Sequence, residues 1–214
     1  IFMGQAGLLE LNTIPERYQK DALNDGYFAK LRNEYKYLAH KFNLTPMDYR
    51  QWRFLRLRPQ NFPHIRISQL AHLYYQRKAG LSQLVEAASV EDAKKVLATA
   101  VTPYWETHYT FGSTSVRNDK NLSPFSLNLL CINTVVPILF AYGRHRGEEK
   151  YCDRAFDFLE QLRPENNYII RLWQQSGLVV DNAGDSQALI QLKKEYCDKK
   201  ECLRCRFGYE YLKL

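Results

Sequence analysis

The sequence lacks the motifs that most directly announce an activity. Gly4 and Gly7 are not set between a strand and a helix, so there is no glycine loop of the kind that cradles phosphates. None of His40, His64, His72, His108 and His145 stands four residues from another, which excludes the paired-imidazole helix of a zinc metalloprotease. Asp48, Glu106, Asp119 and Asp153 supply carboxylates, but no spacing pairs any two of them for acid–base work. No apolar run approaches the roughly 18 residues that cross a bilayer. The longest, 134–142, is interrupted by Pro137, so no membrane association is expected. Repeats, low-complexity tracts and a convincing ladder of strands are also missing. There is neither an initiator Met nor a secretory signal. The opening Ile1-Phe2-Met3-Gly4-Gln5-Ala6-Gly7 reads as the middle of something, with residue 1 as a cut point in a longer chain. Cysteine is scarce, odd in number at five, and unevenly placed. That usage points to a reducing cytoplasm rather than a disulfide framework.

What the chain does have is helical periodicity. Leu31, Tyr35, Leu38 and Phe42 form one apolar stripe, and Asn43 ends that helix. Pro46 opens a short aromatic segment, and Arg58-Pro59-Gln60-Asn61-Phe62-Pro63 is a rigid turn because each proline restricts its predecessor. Helices are expected over 65–76 and 81–88. Ser89 and Asp92 form a capping box for a helix running to about residue 100. Residues 103–124, rich in Tyr, Thr, Ser and Asn, read as an extended piece or an ordered connector. Residues 125–142 are apolar enough to be a central buried helix, kinked near Pro137. An amphipathic helix over 148–162 carries Phe156, Leu159 and Leu162, and Pro164 opens the next, which Gly177 ends. Asp185 caps the last long helix. The expected fold is all-α, a multi-helix globular fold of about ten helices. Its two lobes are 1–102 and 125–214, joined by the connector 103–124.

Two constellations carry possible chemistry. Cys197, Cys202 and Cys205 bring three thiols into nine positions, soft ligands suited to zinc or an iron–sulfur cluster. No fourth Cys or His follows them, so the alternative is three reduced thiols near a chain end. Arg50, Arg53 and Arg56 recur every three residues around Trp52 and Phe54, with Arg58 and Arg66 nearby. Guanidinium forks beside aromatic rings suit phosphate and base contacts. The alternative is a solvated helix face whose arginines pair with carboxylates. The formal charge of +7 favours a nucleic-acid partner.

Residues 120–205 resemble the helix-hairpin-helix DNA glycosylases of the adenine glycosylase and endonuclease III branch. Gln187, Ala188, Leu189, Ile190 and Leu192 precede Cys197 in the register by which that family's last helix reaches its cluster. The segment Ile132-Asn133-Thr134-Val135-Val136-Pro137-Ile138-Leu139 is similar to the entry of the helix bearing its essential aspartate. That resemblance implies the scaffold, a DNA partner and cluster ligation by the cysteines. It does not imply base excision, because Asn133 replaces the acid, Leu122-Ser123-Pro124-Phe125-Ser126 replaces the phosphate-holding hairpin, and the catalytic lysine has no counterpart. The whole chain also resembles the C-terminal portion of an uncharacterised bacterial domain-of-unknown-function family, through Gly4-Gln5-Ala6-Gly7, the segment from Arg56 to Pro63 and the cysteine tail. Members of that family have a β-rich half in front.

Three readings follow. The first is an accessory, non-catalytic nucleic-acid-binding module with Arg50, Arg53, Arg56, Arg58 and Arg66 as its contacts. The second is an enzyme whose active site lies in a preceding N-terminal domain of the same chain. The third is a structural or partner-binding helical domain with no nucleic-acid role.

Overall fold

The computed structural model describes residues 1–76 and 80–212, and these are all-α apart from one small hairpin. The chain divides into two compact units. The first comprises Ile1–Ala79 and Ala98–Leu122, the second Gly80–Leu97 and Ser123–Leu214. The division therefore does not follow sequential lobes at 102 and 125.

The first unit contains α1 (Phe2–Gln5), α2 (Glu16–Leu23), α3 (Gly26–Phe42), α4 (Pro63–Tyr75), α7 (Pro103–Glu106) and the hairpin β1 (His108–Thr110) and β2 (Ser113–Thr114). Segment 103–124 is no connector, because Trp105 and Phe111 are two of the largest fully buried side chains of this core. They pack with Phe28, Leu8 and Ile65, and each such apolar side chain contributes roughly 1.5–3 kcal/mol. The hairpin's tip lies on α2. Gly112, at φ +71, is required there, because a Cβ would fall 2.3 Å from the Tyr18 carbonyl oxygen. Of the expected α3 stripe, Leu31, Tyr35 and Leu38 are half-buried, whereas Phe42 in the last turn is exposed, and Asn43 closes the helix in the left-handed region at φ 48. Pro46 opens no α-helix; only a single 3-10 turn, Tyr49–Gln51, forms in its segment.

Two polar devices hold the aromatic core in place. Lys120 is buried, and its Nζ donates to the carbonyls of Trp105, Glu106 (2.9 Å) and His108 (3.1 Å). The Trp105 and Glu106 carbonyls lie at the C-terminal end of α7, where a cation is favourable, and the His108 carbonyl belongs to β1. The ammonium also stands 4.1 Å from the Tyr109 ring centroid, and burial lowers its pKa from the ordinary lysine value. Asp25 caps α3, accepting from the amides of Tyr27 (2.8 Å) and Phe28 (3.4 Å), and also accepts the Tyr104 hydroxyl. Tyr104 is stacked between Tyr27, 4.1 Å away, and His108, 4.0 Å away. Burial and then the Asp25 carboxylate hold its phenol well above the usual tyrosine range.

The second unit begins with α5 (Leu81–Glu86) and α6 (Val90–Leu97), the latter opened by Ser89, whose Oγ accepts from the Asp92 amide at 3.1 Å. Arg154 of α10 (Glu149–Gln161) donates to the Val85 and Ala87 carbonyls at the end of α5. The centre is one long helix, Pro124–Arg146, formed by α8 (Pro124–Leu130), a π turn (Cys131–Val135) and α9 (Val136–Arg146). Pro137 removes an amide donor and crowds the carbonyl of Asn133. The π turn, one residue wider per turn, makes room for that ring without breaking the helix. The irregularity expected near Pro137 takes the form of this π turn between α8 and α9. By length and composition this 23-residue helix could cross a membrane, unlike the shorter run read from the sequence. Its Cys131, Val135 and Leu139 are fully buried in the core with Phe158, Leu162 and Ala183.

Three readings of the later helices need correction. In α10 the buried positions are Ala155 and Phe158, while Phe156 is 56% exposed. Pro164 lies in a loop, and Asn167 caps α11 (Tyr168–Gln175), accepting from the Ile170 amide at 3.1 Å. The cap of α12 (Ala183–Leu192) is Asn182, which accepts from the Asp185 amide at 2.9 Å. Asp185 instead accepts from the Asp181 amide at 3.1 Å, supporting the same turn from inside the helix. A second π turn (Lys193–Cys197) and α13 (Arg206–Leu212) complete the described chain.

Asp25→Ala removes a cap and a tertiary hydrogen bond together, and is expected to cost about 2–3 kcal/mol in denaturant unfolding. Tyr104→Phe should cost about 1–2 kcal/mol, and the double variant less than the two added, because both act on one carboxylate. Strict additivity would contradict the shared role.

Candidate functional site

The excess positive charge is not spread over the chain. The first unit holds fifteen Lys and Arg against eight Asp and Glu, the second fifteen against fifteen. Within the first unit the arginine segment is not a helix face. Beyond Tyr49–Gln51 the chain is irregular, and Arg56 takes a left-handed conformation at φ 64. A 3-10 turn, Pro59–Asn61, follows. The aromatic residues of the segment turn inward. Trp52 Nε1 donates to the Ala6 carbonyl at 2.8 Å, and Phe54 meets Phe62 edge-on at 5.5 Å.

This anchoring leaves the five arginines in different states. Arg50 is paired with Asp48, 3.0 Å away, and each holds the other's charged form. Arg66 is half-buried, donating to Asn61 (2.7 Å) and Gln69 (2.9 Å), and burial lowers its pKa. Arg53, Arg56 and Arg58 are exposed and, among the described residues, make no ion pair.

Beside this loop lies a cavity of about 740 Å³. Its walls include Phe54, Phe62, Tyr18 and Tyr109, the hydroxyl residues Thr110 and Ser113, and His64. Phe54 and Pro59, which bracket Arg56 and Arg58 in sequence, both line it. His64 is 2% exposed, and neither Nδ1 nor Nε2 has a hydrogen-bond partner. Its ring neighbours are Phe54 (5.8 Å), Trp105 (5.6 Å) and Phe111 (5.4 Å), none of which offers an acceptor. Burial pushes its pKa down to about 4, so the imidazole is neutral at pH 7.

From the sequence, each of the scattered histidines reads as a surface or hydrogen-bonded core residue rather than a catalyst. His72 and His108 fit, through Nδ1 bonds to the Ala100 (3.2 Å) and Tyr104 (2.8 Å) carbonyls. His64 does not. Its place after Pro63 sets it in the first turn of α4, and the rings of Phe54, Trp105 and Phe111 come to it only through the fold.

The three C-terminal cysteines carry free thiols, Cys197 and Cys202 exposed and Cys205 buried. Burial, then the fields of Cys205 and Cys202, raises the Cys197 pKa. Among the described residues no group of three His, Cys, Asp or Glu side chains is disposed to hold a metal ion. Asn133 is exposed, and its amide donates to the Leu129 carbonyl of its own helix at 3.0 Å. It lines none of the cavities described.

These features define an all-α protein of two units with a basic first unit. The chain belongs to the family described as protein of unknown function DUF2851, whose pattern matches residues 1–168. The match stops short of Cys197, so the cysteine tail is not among the matched residues. No curated protein and no solved structure matches the chain, and the glycosylase resemblance finds no support in these comparisons.

An unfolded chain protonates His64 near pH 6.5, whereas the folded protein resists until about pH 4. Protons therefore favour unfolding in that window. Stability is fully retained above pH 6.5 and falls by up to about 3 kcal/mol as pH drops toward 4. His64→Phe should match or exceed wild-type stability at pH 7 and show a shallower acid loss in urea titrations. An unchanged acid slope would contradict this assignment.

Proposed function

We propose that the first unit is a nucleic-acid-binding module that holds phosphates with Arg53, Arg56 and Arg58. One observation carries the reading: three exposed guanidinium groups without carboxylate partners lie on one short loop of the unit that holds the whole charge excess. Guanidinium forks match phosphate oxygens, and an anchored irregular loop presents them without the ordering cost of a mobile tail. Arg50 and Arg66 are left out of the contact set because their guanidinium groups already serve Asp48 and the Asn61 and Gln69 amides. The five free thiols suit a reducing compartment, and we place the protein in the cytoplasm. No reaction is assigned.

The test is fluorescence anisotropy of labelled single-stranded and duplex DNA across 50–200 mM salt. Three phosphate contacts give a log–log salt slope of about −2 for a single strand and nearer −3 for a duplex. Changing all three arginines to Gln should weaken binding and flatten the slope, while Arg50→Gln should leave the slope nearly as it was. Absence of binding by the wild-type protein at 50 mM salt contradicts the proposal.

A further inference from the structure

The cavity beside the arginine loop has a use that phosphate binding alone does not explain. A neutral imidazole presents one N–H donor and one lone pair, and both are buried here without a partner. Leaving each unmade is costly, and the rings of Phe54, Trp105 and Phe111 do not bond either nitrogen. A phenylalanine would fill the same place without that cost. The ring lines a space of about 740 Å³, within the range of roughly 300–1,000 Å³ that takes a small organic ligand.

The walls restrict what can lie there. Phe54, Phe62, Tyr18 and Tyr109 favour a flat ring over a branched chain. Glu16 and Arg17 both line the cavity, so its charges balance and a bare polyanion gains little inside. A purely apolar ligand would leave both His64 nitrogens unmade. The fitting chemistry is a planar heterocycle whose edge carries a donor beside an acceptor, with any phosphate outside. Arg56 and Arg58 lie between Phe54 and Pro59 in sequence and Arg53 directly precedes Phe54, and both Phe54 and Pro59 line the cavity. One loop thus supplies phosphate contacts and cavity wall together.

We infer that this cavity receives one unpaired nucleobase of the bound strand and that the His64 ring, whose nitrogens are covered in this structure, turns one of them toward the cavity on binding and reads the base's hydrogen-bonding edge. The inference rests on the nucleic-acid reading above. Stacking on aromatic side chains supplies affinity of a kind that every base can use, and His64 adds the polar complement.

The experiment uses the full chain and anisotropy with a labelled thymidine strand of about twelve nucleotides, set against an all-abasic strand of equal length. Unlabelled nucleoside 5′-monophosphates serve as competitors. The thymidine strand should bind more tightly than the abasic one, and the monophosphates should compete. His64→Phe should weaken the thymidine strand about tenfold without changing the salt slope, and His64→Gln, which keeps a donor and an acceptor, should recover much of the loss. Thermal melts of both variants confirm that the fold is intact. Equal affinity for the two strands, with no effect of His64→Phe, overturns the base pocket and leaves phosphate binding standing. Competent monophosphate binding with no strand binding overturns the nucleic-acid reading but not the pocket. Failure of strand and monophosphate alike overturns both.

Discussion

An imidazole with neither nitrogen bonded, enclosed by Phe54, Trp105 and Phe111, is the constraint around which the first unit is arranged. Such a group is tolerated only if the surrounding core is stable enough to absorb its desolvation. The core has that reserve from two sources. Trp105 and Phe111 are fully buried with Phe28 and Leu8. Lys120 and Asp25 bond backbone groups at the end of α7, in β1 and at the start of α3. Beside His64, the buried polar side-chain atom left unbonded among the described residues is the Thr102 hydroxyl, and the imidazole, with two nitrogens unmade, is the larger cost in need of a reason.

The same local chemistry shapes the neighbouring loop. Trp52 and Phe54 are drawn inward, and the residues between Phe54 and Pro59 are left at the surface. Arg56 accepts a left-handed conformation within that bulge. The result sets charge outside and flat apolar surface inside, on two sides of one short segment. The second unit, neutral in its charge balance, is built instead around a long apolar helix whose π turn accommodates Pro137.

Much of the helical frame was legible in the sequence because its signals are local. The Leu31–Tyr35–Leu38 spacing, the left-handed stop at Asn43, the Ser89 cap and the Gly177 stop each act within one or two turns. The misreadings arose where a distant partner decides. Asn182 outcompetes Asp185 as a cap because the helix begins one turn earlier. Segment 103–124 looked polar enough to be a connector, yet Trp105 and Phe111 bury it. The arginine spacing mimicked a helix face, but Pro59 and the inward Trp52 hold that stretch irregular. His64 was invisible as a site because an unmade hydrogen bond is a property of the folded surroundings and leaves no mark in sequence. The glycosylase likeness rested on short patterns around Asn133 and Gln187, and Gln187 serves instead to tie α12 to Glu165 in the loop before α11.

The account stands or falls on the state of one ring. Long-range proton–nitrogen NMR of ¹⁵N-histidine-labelled protein, titrated from pH 7.5 to pH 4 and assigned with His64→Phe, reads that state directly. The account predicts one imidazole that stays neutral until pH nears about 4, with nitrogen shifts of a group free of strong hydrogen bonds. A His64 that titrates near the ordinary value of about 6.5 would contradict it.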